Sequence, residues 1–282
     1  MARAWATRIV AFAAGLAAAV GFAQPTPGYT IEAIRFATIP QFRVSSLVVG
    51  ADPSERIDLA AIVWLIRGGG RNILFDTGYH RATPGFDRFK TTDYIRPDEA
   101  VKLAGVEPAR ITDVVISHVH WDHMGGLDLF PEATVWIQRA EYEYYMGQSW
   151  QPGQTRGADI EDLVALLKRN AAGKVRLVDG DDREILPGVR VYTGARHTFA
   201  SQYIRIAGTP TFVLASDNCY LYRNLEAKSA IAQTFAESDR PANVAAFERM
   251  IALAGARERV VPGHDPRQFD RFPTSGRVAR IK

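Results

Sequence analysis

Ser117-His118-Val119-His120-Trp121-Asp122-His123-Met124-Gly125-Gly126 packs three histidines and one aspartate into the six residues from 118 to 123. It continues a run, Thr112-Asp113-Val114-Val115-Ile116, whose consecutive apolar residues read as a strand buried on both faces. At a strand's period of two, His118 and His120 project to the same side, so two imidazoles can share one divalent ion. Asp122 and His123 come just past the strand, where Gly125-Gly126 turns the chain. They can face a second ion about 3.5–4 Å away. Imidazole with carboxylate suits zinc, iron, cobalt or manganese. The chain carries only six histidines, and placing three at one strand end serves no packing purpose.

Composition bounds what surrounds this stretch. The chain has 282 residues, 47% hydrophobic and 23% charged, with 34 basic against 31 acidic side chains and one cysteine. That length suits one large domain or two small ones. The apolar fraction excludes a disordered chain, which could not bury enough surface to offset its ordering entropy. A lone cysteine excludes a disulfide framework and any cysteine-rich zinc module. A net charge of +3 is too small for a nucleic-acid footprint.

Residues 1–23 read as a signal peptide. Arg3 and Arg8 precede an alanine-rich apolar run at 9–20, and Gly21 and Ala23 offer small side chains for cleavage before Gln24. The run is shorter than the roughly 20 residues that span a bilayer. Cleavage removes two of the 34 basic residues and no acid, leaving 32 against 31, a net charge of +1. The expectation is a periplasmic or secreted mature domain, residues 24–282, with no nucleic-acid partner and no membrane contact after cleavage. The oligomeric state stays open, a homodimer included. Arg267, Arg271, Arg277, Arg280 and Lys282 read as a solvated, charged terminus.

Along the chain, residues 31–39 and 59–67 read as strands, and Gly68-Gly69-Gly70 turns the second into Asn72-Ile73-Leu74-Phe75-Asp76 as a hairpin. Further strands are expected at 112–117, 133–138, 175–178, 189–193, 203–207, 211–215 and 259–261. Helical spacing marks 98–104, 160–169 (capped by Asp159), 227–235 and 243–254. Many strands with helices in two batches imply an α+β class, two sheets with outer helices in one domain. Two stretches, 79–92 and 141–157, are each long enough to be a loop over a site. The second carries Tyr142, Tyr144, Tyr145 and Trp150 and reads either as a helix with a packed aromatic side or as a substrate wall.

His118-Val119-His120-Trp121-Asp122-His123 resembles the HxHxDH signature of the metallo-β-lactamase superfamily, and the resemblance extends over nearly the whole mature chain. Asp76-Thr77-Gly78 matches that family's Asp-Thr-Gly, His197 follows a strand as its third histidine does, Asp217 follows Phe212-Val213-Leu214-Ala215-Ser216, and Pro262-Gly263-His264 matches its last Gly-His turn. The resemblance implies a four-layer αβ/βα sandwich with its metal site at the edge between the sheets. It implies two divalent ions, zinc first, with iron, cobalt or manganese as alternatives. His118, His120 and His197 would hold one, Asp122, His123 and His264 the other, and Asp217 would bridge them. Asp76 is then a residue that orients a ligand or caps a turn, and His80 matches nothing and reads as a loop residue. Cys219 reads as a small packing residue.

Two ions sharing a hydroxide make a nucleophile at neutral pH and need no serine or cysteine. Members acting on β-lactams lack the bridging aspartate, and the stretch from Gly194 to Gln202 departs from the Thr-His-Thr-Pro-Gly-His-Thr run of the glyoxalase II branch. A near-neutral mature chain disfavours the nuclease branch. Tyr220, three residues after Asp217, is similar in placement to a tyrosine of the N-acyl-homoserine lactonase branch. The reading is an exported dinuclear hydrolase that opens lactone rings, its substrate a small molecule with an apolar acyl part. Tyr220 would stabilise the oxyanion and Asp122 would pass a proton to the leaving alkoxide. An ester, thioester or phosphotriester hydrolase is the alternative, followed by glyoxalase II-like, sulfur dioxygenase or β-lactamase activity and, in another class, a non-catalytic binder.

Overall fold

Strand β2 (Arg56–Gly68) shows why this chain builds layers. Its residues Ala60, Ile62, Trp64 and Ile66 enter one buried cluster, while the intervening Ala61, Val63 and Leu65 enter another. A strand apolar on both faces must be covered on both, which requires a sandwich and not an open sheet. The structure, a computed structural model, describes residues 27–80, 88–154 and 157–282. The leader read at 1–23 lies outside the described residues. No helix among them is long and apolar enough to cross a membrane.

The first sheet runs β12-β13-β1-β2-β3-β4-β5-β6, built from Thr274–Ser275, Val278–Arg280, Thr30–Arg43, β2, Arg71–Phe75, Asp113–Val115, Thr134–Gln138 and Val175–Val178. The second runs β11-β10-β9-β8-β7, from Val260–Pro262, Phe212–Ser216, Tyr203–Ile206, Val189–Tyr192 and Arg183–Leu186. Between them lies a core that takes Ile31, Ile62, Trp64 and Phe75 from one sheet and Val189, Val191, Ile204 and Leu214 from the other. Helices cover the outer faces. Over the first sheet lie α1 (Pro97–Lys102), α2 (Trp121–Met124), α3 (Arg139–Met146) and α4 (Ile160–Ala171), contributing Ala100, Met124, Tyr145 and Leu166 to its outer core. Over the second lie α5 (Tyr222–Ala227) and α6 (Arg240–Ala254), contributing Leu225, Phe247 and Met250. A one-turn helix α7 (Gln268–Arg271) precedes the last two strands. This is the four-layer αβ/βα sandwich that the resemblance implies.

The β2–β3 hairpin and the Asp159 cap, whose Oδ1 accepts from Glu161 N at 2.9 Å, agree with the sequence reading. Two readings are corrected, and a third, left open, is decided. Residues 227–235 are not a helix: Lys228 turns into left-handed backbone (φ 51°), and the chain then runs back so that Ile231 bridges Val48 and fills the second sheet's outer core. Its apolar residues face a core by that bridge, a pattern that helical spacing imitates. The basic tail is a solvated terminus only in part: Arg271 and Arg280 are exposed, but its backbone forms β12 and β13, which extend the first sheet, and the Arg277 guanidinium pairs with Asp93. Of the two readings of the aromatic stretch, the helix with a packed aromatic side holds and the substrate wall does not: Tyr142, Tyr144 and Tyr145 are buried in the outer core, Tyr144 stacked on Phe199 at 4.2 Å, and none of them lines the site cavity.

Backbone packing brings the site loops together at the sheet edge. Thr77 N and Thr77 Oγ1 both donate to His123 O, at 2.7 and 2.9 Å. Gly78 takes a left-handed φ of 67°, and a Cβ on Gly126 would sit 2.2 Å from Thr77 O. Gly126→Ala is therefore expected to lower unfolding stability by about 1–3 kcal/mol or more through overpacking, read as a lower denaturant midpoint. An unchanged midpoint would show that the two turns can separate without cost.

Candidate metal centre

The residue that organises this edge is Asp76, at the end of β3 and fully buried. Its Oδ1 accepts from Ser117 N at 2.7 Å, and its Oδ2 accepts from Ser117 Oγ at 2.9 Å, Ser216 Oγ at 2.8 Å and His123 Nδ1 at 2.9 Å. Ser117 and Ser216 stand at the exits of β4 and β10, one in each sheet, and His123 comes from α2. Asp76, Arg196 and Ser216 all hold left-handed backbone, with φ of 61°, 60° and 48°. Non-glycine residues in that region cost energy and cluster where surrounding structure over-determines them. Here Arg196 and Ser216 each precede a clustered donor, His197 and Asp217, and Asp76 bonds directly to His123.

Beyond these turns, the structure brings together all seven residues that the sequence singled out as metal ligands. His118 Nε2 and His197 Nε2 each lie 3.0 Å from His120 Nδ1. Asp217 Oδ2 closes this group, 3.4 Å from His197 Nε2 and 3.9 Å from His118 Nε2. On the other side, Asp217 Oδ1 lies 2.9 Å from His264 Nε2 and 3.2 Å from His123 Nε2. Asp122 Oδ2 completes that second group at 3.5 Å from His123 Nε2 and 3.7 Å from His264 Nε2. Each group draws its donor atoms within 4.8 Å of one another, and Asp217 belongs to both.

This arrangement calls for cations. The Nδ1 atoms of His197 and His264 donate to backbone carbonyls, Gln233 O at 2.8 Å and Ala60 O at 2.9 Å. A carbonyl only accepts, so each ring carries a proton on Nδ1, which leaves Nε2 as the atom turned inward and available to an ion. Lone pairs 3 Å apart cannot satisfy one another. Asp217 Oδ1, although close to two ring nitrogens, is a buried oxygen with no aligned hydrogen bond. Convergent unshared donors with outer hydrogen bonds fixing each ring are what a metal site requires.

Charge divides the cluster accordingly. Burial, joined by the neighbouring His123, His120 and His197, holds His118 well below the usual histidine range, and burial with His197 pushes His120 down to about 3. Burial works against the Asp217 carboxylate too, yet His123 and His264 hold it far below its ordinary value. The same burial opposes charge on His123 and is outweighed by Asp217, Asp122 and Asp76, which lift it. Burial, then Asp217 and Asp122, raise the Tyr220 phenol well above its normal value, so it remains a proton donor.

Tyr220 lines the same cavity as His120, Asp122, Asp217 and His264, a space of about 450 Å³. Its phenol oxygen lies 3.4 Å from His197 Nδ1. The remaining wall is mixed: Ile39, Phe42, Leu47, Leu59, Phe89 and Trp121 make an apolar side, with Phe89 stacked on Trp121 at 5.7 Å, and Ser46, Arg88 and Gln233 add polar groups. Phe89 comes from the stretch 79–92 read as a loop over a site, whereas sequence reasoning assigned no wall to Phe42 or Leu47 at the end of β1 and just beyond it, and no spacing signals that the three meet. Two other residues resolve simply. His80 Nε2 pairs with Asp128 Oδ1 at 2.6 Å, away from the cluster, and Cys219 is fully buried in the second sheet's outer core, its thiol pushed up by burial.

Comparison with known proteins agrees with this geometry. The model of the metallo-beta-lactamase superfamily matches residues 58–264. N-acyl homoserine lactonase AttM of Rhizobium johnstonii is 29% identical over 181 residues, 62% of this chain and 65% of that protein. N-acyl homoserine lactonase AiiB of Agrobacterium fabrum is 25% identical over 185 residues, 61% of this chain and 67% of that protein. The matched stretch thus spans about two thirds of these relatives, just under that for the first. Among solved structures, a quorum-quenching N-acyl homoserine lactone lactonase superposes with a TM-score of 0.68 at 20% identity, covering 87% of this chain and 95% of that one. AidC, a dizinc quorum-quenching lactonase, superposes at 0.64 and 16% identity, covering 86% and 90%. At those identities the likeness is one of fold. The family model spans well over half of the chain, including six of the seven clustered donors and ending on the seventh, His264, and this chain belongs to the metallo-beta-lactamase superfamily.

Proposed function

We propose that this protein is an exported two-metal hydrolase that opens lactone rings, N-acyl-homoserine lactones foremost. The observation that carries the proposal is Asp217, whose two oxygens face two separate groups of ring nitrogens beside a cavity that also holds Tyr220. His118, His120, His197 and Asp217 would hold one divalent ion, and Asp122, His123, His264 and Asp217 the other, with zinc the best suited and iron, cobalt or manganese compatible. Two such ions supply a water-derived nucleophile at neutral pH and polarise a carbonyl oxygen. The names of the curated relatives support the lactone as substrate.

The chain's own residues do the rest. The apolar wall from Phe42, Leu47, Leu59 and Phe89 takes the acyl chain and excludes water around the ring. Tyr220 donates its phenol hydrogen to the lactone carbonyl oxygen as negative charge builds there. Asp122, ionised and at the cavity edge, accepts a proton from the attacking water and delivers it to the ring oxygen as the C–O bond breaks. Asp76, Ala60 O and Gln233 O hold the imidazoles still while this happens.

Asp217→Asn is expected to remove most lactone hydrolysis and lower metal content, measured by turnover and elemental analysis. Tyr220→Phe should retain metal while losing about 10²-fold in turnover, the scale of one oxyanion donor; unchanged kinetics would take Tyr220 out of the mechanism. On a panel of lactones, aryl esters, β-lactams and organophosphates, lactones should turn over fastest. Activity on the phosphotriester alone would replace the lactonase reading. Phe42→Ala should raise KM more for a long acyl chain than for a short one, since each buried methylene contributes about 0.8 kcal/mol. The leader at 1–23 supports export, and N-terminal sequencing of protein from the periplasm or medium should begin at Gln24.

A further inference from the structure

One buried acid takes no part in the chemistry above. Glu141 lies in the first turn of α3 with no exposed surface. Its Oε1 accepts from Thr198 Oγ1 at 2.6 Å and from Val119 N at 3.3 Å, and its Oε2 accepts from Ala200 N at 2.6 Å. Val119 stands between His118 and His120, while Thr198 and Ala200 follow His197. The same carboxyl therefore receives donors from both chain segments that supply the three-nitrogen group. A further tie, Gln202 N to Ser117 O at 2.9 Å, lies behind the imidazoles, not beside them. The second group is held by other means, Asp76 on His123 and Ala60 O on His264.

We propose that Glu141 is a positioning residue that clamps the His118–His120 segment to the His197 turn and so sets the spacing of that half of the metal centre alone. The inference rests on the reading of the cluster as a two-metal site. The chemistry at Glu141 is specific to a carboxylate. A backbone N–H faces each oxygen, Val119 N at Oε1 and Ala200 N at Oε2, and only the Thr198 hydroxyl could turn round to accept, so an amide of the same shape would set its own N–H against a backbone N–H in either orientation. Buried polar groups left unmatched in this way are costly and shift the segments that carry them. Partners one step removed from a metal ordinarily change affinity by 10- to 100-fold when lost.

The test is stepwise removal of Zn2+ from the loaded protein by a chromophoric chelator, for wild type, Glu141→Gln, Thr198→Val and Thr198→Ser. Wild type should release two ions. In Glu141→Gln one of the two should bind about 10- to 100-fold more weakly, the other should keep its affinity, and the Co2+-substituted protein should show a changed visible absorption band. Thr198→Val should move the same site by a smaller factor, and Thr198→Ser, which keeps the hydroxyl, should restore it. A folded Glu141→Gln with both affinities unchanged overturns the proposal. Equal weakening of both sites overturns it too, because that is general loosening. Should Glu141→Gln fail to fold, equal affinities in Thr198→Val and Thr198→Ser overturn it. Wild type releasing no zinc would remove the metal reading and this inference with it. Two ions in wild type with unaltered variants would remove only the clamp.

Discussion

The carboxylate of Asp76 is the point at which the two sheets are held in register at the site. Four hydrogen bonds reach it, from the Ser117 backbone and hydroxyl in the first sheet, from Ser216 at the end of β10 in the second, and from His123. A buried charge is tolerated only when its lone pairs are filled, and removing one partner leaves it uncompensated. The geometry is correspondingly over-determined. Asp76 and Ser216 both accept left-handed backbone to reach one another. With that junction made, the strand exits carrying His118, His120 and Asp217 converge on one volume, and β2 presents Ala60 O to orient His264.

Within that volume the governing constraint is electrostatic. Imidazoles that donate outward from Nδ1 to Gln233 O and Ala60 O turn Nε2 inward, toward a carboxylate oxygen that lacks an aligned donor. Nothing in a protein interior stabilises such a convergence except positive charge. The cavity beside it then separates duties by polarity. Tyr220 and Asp122 lie on the side of the cluster, and Phe42, Leu47 and Phe89 form an apolar part of the wall opposite the donors.

Much of this was legible before any coordinates. Val114-Val115-Ile116 marked a strand buried on both sides, and the alternation of Ala60-Ala61-Ile62-Val63-Trp64 between two cores is the same signal seen in full. His118, His120, Asp122 and His123 are close in sequence, so local geometry sufficed to group them. His197, Asp217 and His264 are not; they were placed by resemblance alone. Residues 227–235 carry apolar side chains at a spacing that a helix and a bridged turn both satisfy, and the aromatic stretch left a helix and a substrate wall both open; the surface each one covers decides. The tail from 267 onward was judged by its charge, whereas its backbone pairs with β1 and its Arg277 with Asp93.

The sequence by itself determined which chemistry is present, because a metal donor set depends on residue type and on short spacing along one strand end. The order of strands and helices pointed to two sheets with outer helices as well, and the family resemblance implied the four-layer sandwich. What surrounds the metal centre belongs to tertiary structure: that Glu141 joins the two histidine segments, that Asp76 ties one sheet to the other, and that Phe42 and Phe89 line the cavity. Those contacts link residues far apart in the chain. Their energies arise from burial and hydrogen-bond satisfaction that no local pattern encodes.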